Sequence, residues 1–303
     1  ISGFAGAEFA ARGRVKAYNA NDGSLLWTFY TVPAPGEFGS DTWPADSAAW
    51  ETGGGTVWHT PAVDPELGMI YFSTGNPGPD YNGAIRAGDN LFTASIVALD
   101  VYTGEYRWHF QQVHHDLWDF DAPNPVVLFD LDYEGVPRKG LAQAGKTGWV
   151  YILDRTNGEP LVGIEERPVP QEPRQATAAT QPYPVGDAFV SQTLDIPPEG
   201  FTMVNNGAIF TPFWDNPVLL RRSEANWPPS TVDPNKGVMY VCAGERQAAY
   251  ATRDGVEQVE SGDRYTGGSM RFAPIAVTGV VAAMDLRTNQ RLWSQRWSSR
   301  CYS

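Results

Sequence analysis

Apolar and polar residues alternate only over short runs. Residues 95–99 (Ser-Ile-Val-Ala-Leu) and 279–284 (Gly-Val-Val-Ala-Ala-Met) are strand-like stretches that lead directly into turns. The turns recur with a fixed grammar. A small or apolar residue is followed two positions later by Asp or Asn, six later by Gly or Asn, and ten later by Trp. Ala17, Asn19, Gly23 and Trp27 fit it, as do Ala98, Asp100, Gly104 and Trp108, and again Ala283, Asp285, Asn289 and Trp293. A degenerate copy runs Ile152, Asp154, Gly158, with Val162 in the Trp position. Asp and Asn side chains bond turn backbone, and Gly or Asn accepts positive φ, so each copy reads as a β-hairpin whose Trp opens the return strand.

A second repeat precedes two of these hairpins. Trp58, Val63, Asp64, Pro65, Gly68 and Tyr71 have the same offsets as Trp227, Val232, Asp233, Pro234, Gly237 and Tyr240. Joined, the two repeats make units of four antiparallel strands, which in series describe propeller blades. The expected fold is therefore an all-β propeller. Blades are placed near 1–33, 56–113, 124–165 and 227–298, with the Pro-rich segment 166–226 as an inserted loop. Four such blades suit part of a larger, eight-bladed propeller.

Composition narrows the partners. The 303 residues carry a formal charge of −13 and 11 Trp, 31 Gly and 24 Pro. So acidic a chain repels phosphate backbones, and nucleic acid is excluded as a partner. No run of 18 apolar residues is present, so no membrane helix is expected. Cys242 and Cys301 can pair, but no Cys/His spacing suggests zinc. The opening Ile-Ser-Gly carries no signal peptide, which reads as a trimmed or incomplete product.

The chemistry gathers in three loops. The densest is 112–121, Gln-Val-His-His-Asp-Leu-Trp-Asp-Phe-Asp, directly after a blade's last strand. On its own it is either a solvated acidic turn or a general base beside a metal. The second is Ser73-Thr74-Gly75-Asn76-Pro77-Gly78-Pro79-Asp80 with Arg86-Ala87-Gly88-Asp89-Asn90, which alone reads as a turn cluster. The third is Gly6-Ala7-Glu8 with Arg12-Gly13.

Together these segments resemble the pyrroloquinoline quinone (PQQ)-dependent, or quinoprotein, alcohol and glucose dehydrogenases. The likeness runs almost unbroken over 56–158: Trp58, the Val-Asp-Pro turn, Thr-Gly-Asn-Pro, Arg-x-Gly-Asp-Asn, the HDxWDxD loop, Lys146 and Leu153-Asp154-Arg155. The His114–Asp119 loop is most similar to the membrane-bound glucose dehydrogenase branch. The resemblance implies that Asp119 is the catalytic base and that Lys146 donates to the quinone oxygens. It implies a divalent cation, Ca²⁺ first and a lanthanide as the alternative, held by Glu8, Asn76, Asp119 and Asp121. Trp58 would be the floor for the flat cofactor, although Trp227 at the equivalent repeat position also allows a packing role. Thr56 would bond a cofactor carboxylate, and Gly6, Ala7 and Asn226 would complete the contacts. Ala5 stands where relatives often carry Ser. The adjacent-cysteine disulfide of the family is not in this chain.

The implied activity is oxidation of an alcohol, sugar or polyol, with electrons passed to a cytochrome or membrane quinone, in the periplasm. No CxxCH motif is present, which places the acceptor outside this segment. A non-catalytic propeller scaffold for protein–protein contacts is the competing reading. It would not need Glu8, Asn76, Asp119 and Lys146 together. A hydrolytic site built on Asp116 and Asp119 is a third; its carboxylates should flank a groove.

Overall fold

The computed structural model describes residues 1–275 and 277–301. It is all-β and antiparallel, with only short 3₁₀ turns between strands. Strands β1 (Arg14–Tyr18) and β2 (Leu25–Tyr30) form a two-stranded sheet. Strands β3 (Ala62–Asp64), β4 (Met69–Ser73), β5 (Ser95–Asp100) and β6 (Tyr106–Gln111) form a four-stranded meander in chain order. Strands β7 (Val127–Tyr133), β8 (Val136–Ala144) and β9 (Val150–Asp154) form a three-stranded sheet. The fourth strand expected there is reduced to a bridge between Leu153 and Pro160. That is the copy with Val162 in place of Trp, and Pro160 offers no backbone N–H to extend the ladder.

Segment 166–226, expected as a loop, is partly sheet. Strands β10 (Ile164–Pro168) and β11 (Thr180–Pro184) make a two-stranded ribbon, and β12 (Val218–Ser223) joins the last sheet. Prolines 168, 182 and 184 hide this ribbon in the sequence, yet a two-stranded ribbon is all edge and tolerates them. The last sheet also holds β13 (Thr231–Asp233), β14 (Val238–Thr252), β15 (Gly268–Phe272), β16 (Thr278–Asp285) and β17 (Arg291–Trp297). The N-terminal half of β14 pairs with β13 and β16, reproducing the β3–β6 pattern. Its C-terminal half extends beyond the repeat and pairs with β12 and β15.

The hairpins follow the expected turn chemistry. Asp100 Oδ1 accepts from the N–H groups of Tyr102 (2.9 Å) and Thr103 (3.0 Å), and Gly104 has φ +73°. Asp285 Oδ1 does the same for Arg287 and Thr288, with Asn289 at φ +55°. The tryptophans then lock sheet to sheet. Trp27 donates to Val101 O (3.2 Å) and lies where a Cβ on Gly104 would be 2.6 Å from its ring. Trp108 donates to Arg155 O (3.1 Å) and covers Gly158 in the same way, again at 2.6 Å. Each indole thus docks on the turn glycine of the next unit and bonds the carbonyl three residues before it. Removing the Cβ is what lets the ring approach.

Central strands are buried on both faces. Ile70, Phe72, Val97 and Leu99 pack towards Val15, Ala17 and Trp27, whereas Tyr71, Ile96 and Ala98 pack towards Leu141 and Leu153. A third core lies between Phe129, Ala142 and Ile152 on one side and Met239, Val241 and Ala282 on the other. Arg155 adds a buried polar tie. Its Nε meets Asp64 Oδ2 at 2.7 Å and its Nη1 meets Asp130 Oδ1 at 2.6 Å and Phe129 O at 2.7 Å. Cys242 and Cys301 are joined in a disulfide that pins the chain after β17 to β14.

Candidate active site

The loop after β6 carries Asp119 at φ +55°, a left-handed backbone that a non-glycine residue adopts only when its surroundings hold it there. Here both carboxylate oxygens are held. Lys146 Nζ, from the turn between β8 and β9, lies 2.7 Å from Oδ1. Arg222 Nη2, from β12, lies 2.7 Å from Oδ2. Arg222 Nη1 also donates to Trp118 O (2.9 Å) and to Tyr250 Oη (3.1 Å). Both cations are almost wholly buried, whereas the Asp119 side chain keeps 20% exposure. Burial pushes the Asp119 pKa up, but Lys146 and Arg222 outweigh it, leaving the carboxyl below its ordinary value.

Lys146 also pairs with Asp121 Oδ1. Asp121 is 1% exposed, and neither of its oxygens has a hydrogen-bond partner beyond that ion pair. Burial raises its pKa to about 7 against the opposing pull of Lys146. The ammonium therefore sits between the two acids assigned to a cation. Among the described residues no three Asp, Glu, His or Cys side chains form a group able to hold a metal. Of the expected ligand set Glu8, Asn76, Asp119 and Asp121, Asp119 and Asp121 pair here with Lys146 and, for Asp119, also with Arg222.

The Asn76 loop is a separate cradle. Asn76 is 3% exposed and its amide donates to Pro77 O at 3.1 Å. Asp80, four residues on, is buried with Oδ1 unpartnered. Its pKa is raised well above normal, first by burial, then by the charges of Asp119 and Glu8, against the smaller opposing pull of Arg86 and of a bond to Asn76. Arg86 braces this loop against the Asp119 loop. It donates to Pro79 O (3.1 Å), Asn90 Oδ1 (2.8 Å) and Asp116 O (2.6 Å), which explains the Arg-x-Gly-Asp-Asn run.

Trp58 is half-exposed and rests on Gly75, where a Cβ would come within 2.7 Å of the ring. The Thr56 hydroxyl is buried without a partner. Asn226 lends its backbone carbonyl to Asn124 Nδ2 (2.8 Å) and its side-chain oxygen to the N–H of Trp227. Gly6 has φ +102° and opens the turn in which Ala7 is buried and Glu8 exposed. Asp116 and His115 of the 112–121 loop are structural. Asp116 Oδ1 accepts from Trp118 N–H at 2.8 Å in a fully buried position, so it flanks no groove and the hydrolytic reading fails. Both ring nitrogens of His115 lie 2.7 Å from carbonyl oxygens, of Gly88 and Gln175.

Sequence reasoning missed Arg222 and Asp80. Arg222 is 103 residues from Asp119, so no local pattern could pair them. For Asp80 a signal existed, since it closes the Asn76 loop, but Asp in a Pro/Gly turn reads as ordinary.

The family model described as "PQQ: Glucose/ethanol/alcohol dehydrogenase, beta-propeller domain" matches residues 5–242. The quinohemoprotein alcohol dehydrogenase ADH IIB of Pseudomonas putida is 45% identical over 178 residues, 55% of this chain and 26% of that protein. ADH-IIG of the same organism is 36% identical over 267 residues, 82% of this chain and 34% of that protein. The chain thus spans about a third or less of these relatives. Among solved structures, the quinohemoprotein alcohol dehydrogenase of Comamonas testosteroni superposes with a TM-score of 0.75 at 27% identity, covering 98% of this chain and 45% of that one. With this fold and this match, the chain belongs to the PQQ-dependent glucose/ethanol/alcohol dehydrogenase β-propeller family.

Proposed function

We propose that this chain supplies the base, the cofactor platform and the cation loop of a PQQ-dependent dehydrogenase that oxidises an alcohol. The observation that carries the reading is Asp119, a partly open carboxylate gripped by two buried cations on a backbone held at positive φ. The residues fit the absent groups. The orphaned Thr56 hydroxyl and Asp80 oxygen are what a polar cofactor and a hard cation would satisfy. Trp58 offers a flat, half-exposed face. When bound, PQQ accepts the hydride equivalent from the substrate carbon.

Asp119 stays ionised at neutral pH and accepts the hydroxyl proton at a carboxylate oxygen. Lys146 and Arg222 fix its direction; Lys146 has a third N–H beyond its two carboxylates, available to a cofactor oxygen. Glu8 and Asn76 present oxygens suited to Ca²⁺ or a lanthanide. The relatives above are alcohol dehydrogenases, which supports an alcohol before a sugar. Electrons pass to a cytochrome or a membrane quinone; a similar protein named alcohol dehydrogenase (quinone), from Gluconacetobacter polyoxogenes, supports the quinone. The Cys242–Cys301 disulfide supports an oxidising compartment such as the periplasm. A scaffold would have no use for two buried cations gripping one partly open carboxylate.

The test is dye-linked alcohol oxidation by the full-length protein reconstituted with PQQ and either cation. Asp119→Asn should lose turnover by about a thousandfold or more while still binding cofactor. Undiminished activity in that variant refutes the assignment.

A further inference from the structure

Resting on the proposed function, we infer that Asp80 is a direct oxygen ligand of the bound cation, together with Glu8 and Asn76, and that Asp119 is kept off it. Asp80 is 4% exposed, and its Oδ1 has no hydrogen-bond partner. A buried carboxylate with an unanswered oxygen is costly, and proteins resolve it with a cation or a proton. The protein cation near it does not serve. Arg86 aims its Nε, Nη1 and Nη2 at Pro79 O, Asn90 Oδ1 and Asp116 O, and reaches Asp80 only as a through-space charge that leaves Oδ1 without a bond. The negative charges of Asp119 and Glu8 each act on Asp80 more strongly than Arg86 does.

The backbone brings these groups together for a stated reason. Tyr265 N–H donates to Glu8 O at 2.8 Å, while the Tyr265 ring lies 3.6 Å from where a Gly78 Cβ would stand. The next residue accepts from the N–H of Tyr81 at 2.8 Å. Segment 265–267 thus stitches the Glu8 turn to the 76–81 loop, which carries the buried Asp80. Asp119, by contrast, has its two oxygens on Lys146 and Arg222. Moving it to a cation would strip a buried guanidinium of its carboxylate. A hard cation beside Glu8, Asn76 and Asp80 satisfies the orphan and leaves the base free for a proton.

The test is cation affinity of the full-length protein, stripped of metal and saturated with PQQ, followed by calorimetry with Ca²⁺ and by sensitised terbium luminescence. Asp80→Asn should weaken binding at least tenfold, while Asp119→Asn changes it less than threefold. Wild-type binding that Asp80→Asn leaves unchanged overturns this inference alone. Equal weakening by both variants overturns the separation of base from cation. A wild-type protein that binds no cation overturns the inference and the cation part of the proposed function together. A melting experiment guards against misfolding. Without cation, Asp80→Asn should melt higher than wild type, and Ca²⁺ should raise it less. A variant that melts lower or fails to fold overturns the claim that the carboxylate is uncompensated.

Discussion

Gly158→Ala tests whether the turn glycine exists to receive the neighbouring indole. Gly158 has φ +80°, and a Cβ there would lie 2.6 Å from Trp108 Cε3. Gly135, in the β7–β8 turn, has φ +84° and open space around its Cβ position. The two replacements carry the same backbone penalty, roughly 1–2 kcal/mol for a left-handed L-residue. Gly158→Ala adds overpacking, about 1–3 kcal/mol, because the ring is held by its bond to Arg155 O. The expectation is a loss of about 2–5 kcal/mol at 158 against about 1–2 at 135. Urea titrations with an unchanged slope measure both. In a Trp108→Ala background the extra cost at 158 should vanish, the coupling expected of two groups in contact. Equal losses at the two glycines, or additivity with Trp108→Ala, would refute indole docking as the reason for glycine.

Lys146→Met leaves Asp121 buried and unpaired, so stability should fall by about 3–5 kcal/mol at pH 8, read by denaturant midpoint. Asp116 titrates near pH 6 through burial, above its ordinary value, so the folded protein holds its proton more tightly than the unfolded chain. Its contribution therefore falls as pH rises from about 4 to 6, by roughly 3 kcal/mol, and an Asp116→Asn variant should show a flatter melting profile across that window. Replacing Cys242 and Cys301 by Ser releases a crosslink spanning 59 residues and should cost about 2–4 kcal/mol, while leaving Asp119-dependent turnover intact.

What the sequence made legible was local. The Asp100–Gly104 and Asp285–Asn289 hairpins are encoded within five residues, by a side-chain acceptor and a positive-φ position, and the structure forms both. The same holds for the Val-Asp-Pro turns, where Asp64 and Asp233 accept from the backbone of Glu66 and Asn235. The ribbon β10–β11 was hidden because its prolines argue against strand in any local reading. The overlong β14 was hidden because Glu245 and Arg246 interrupt its apolar run, although they pair with Arg296 and Glu224 from elsewhere in the chain. At the site, family motifs located Asp119 and Lys146, but not that both acids of the loop would close on one lysine. That outcome depends on Lys146 reaching Asp119 and Asp121 from the β8–β9 turn and on Arg222 reaching Asp119 from β12, long-range meetings that spacing does not encode.

The Arg86 brace has a consequence for how this site can change. One guanidinium fastens the loop of Asn76 and Asp80 to the loop of Asp116 and Asp119, so neither can be redrawn without disturbing the other. A lineage drifting towards a new substrate would find these two segments inherited as a pair, and grafting either one alone into a relative should carry the donor's geometry only if its arginine and the backbone carbonyls it grips travel with it.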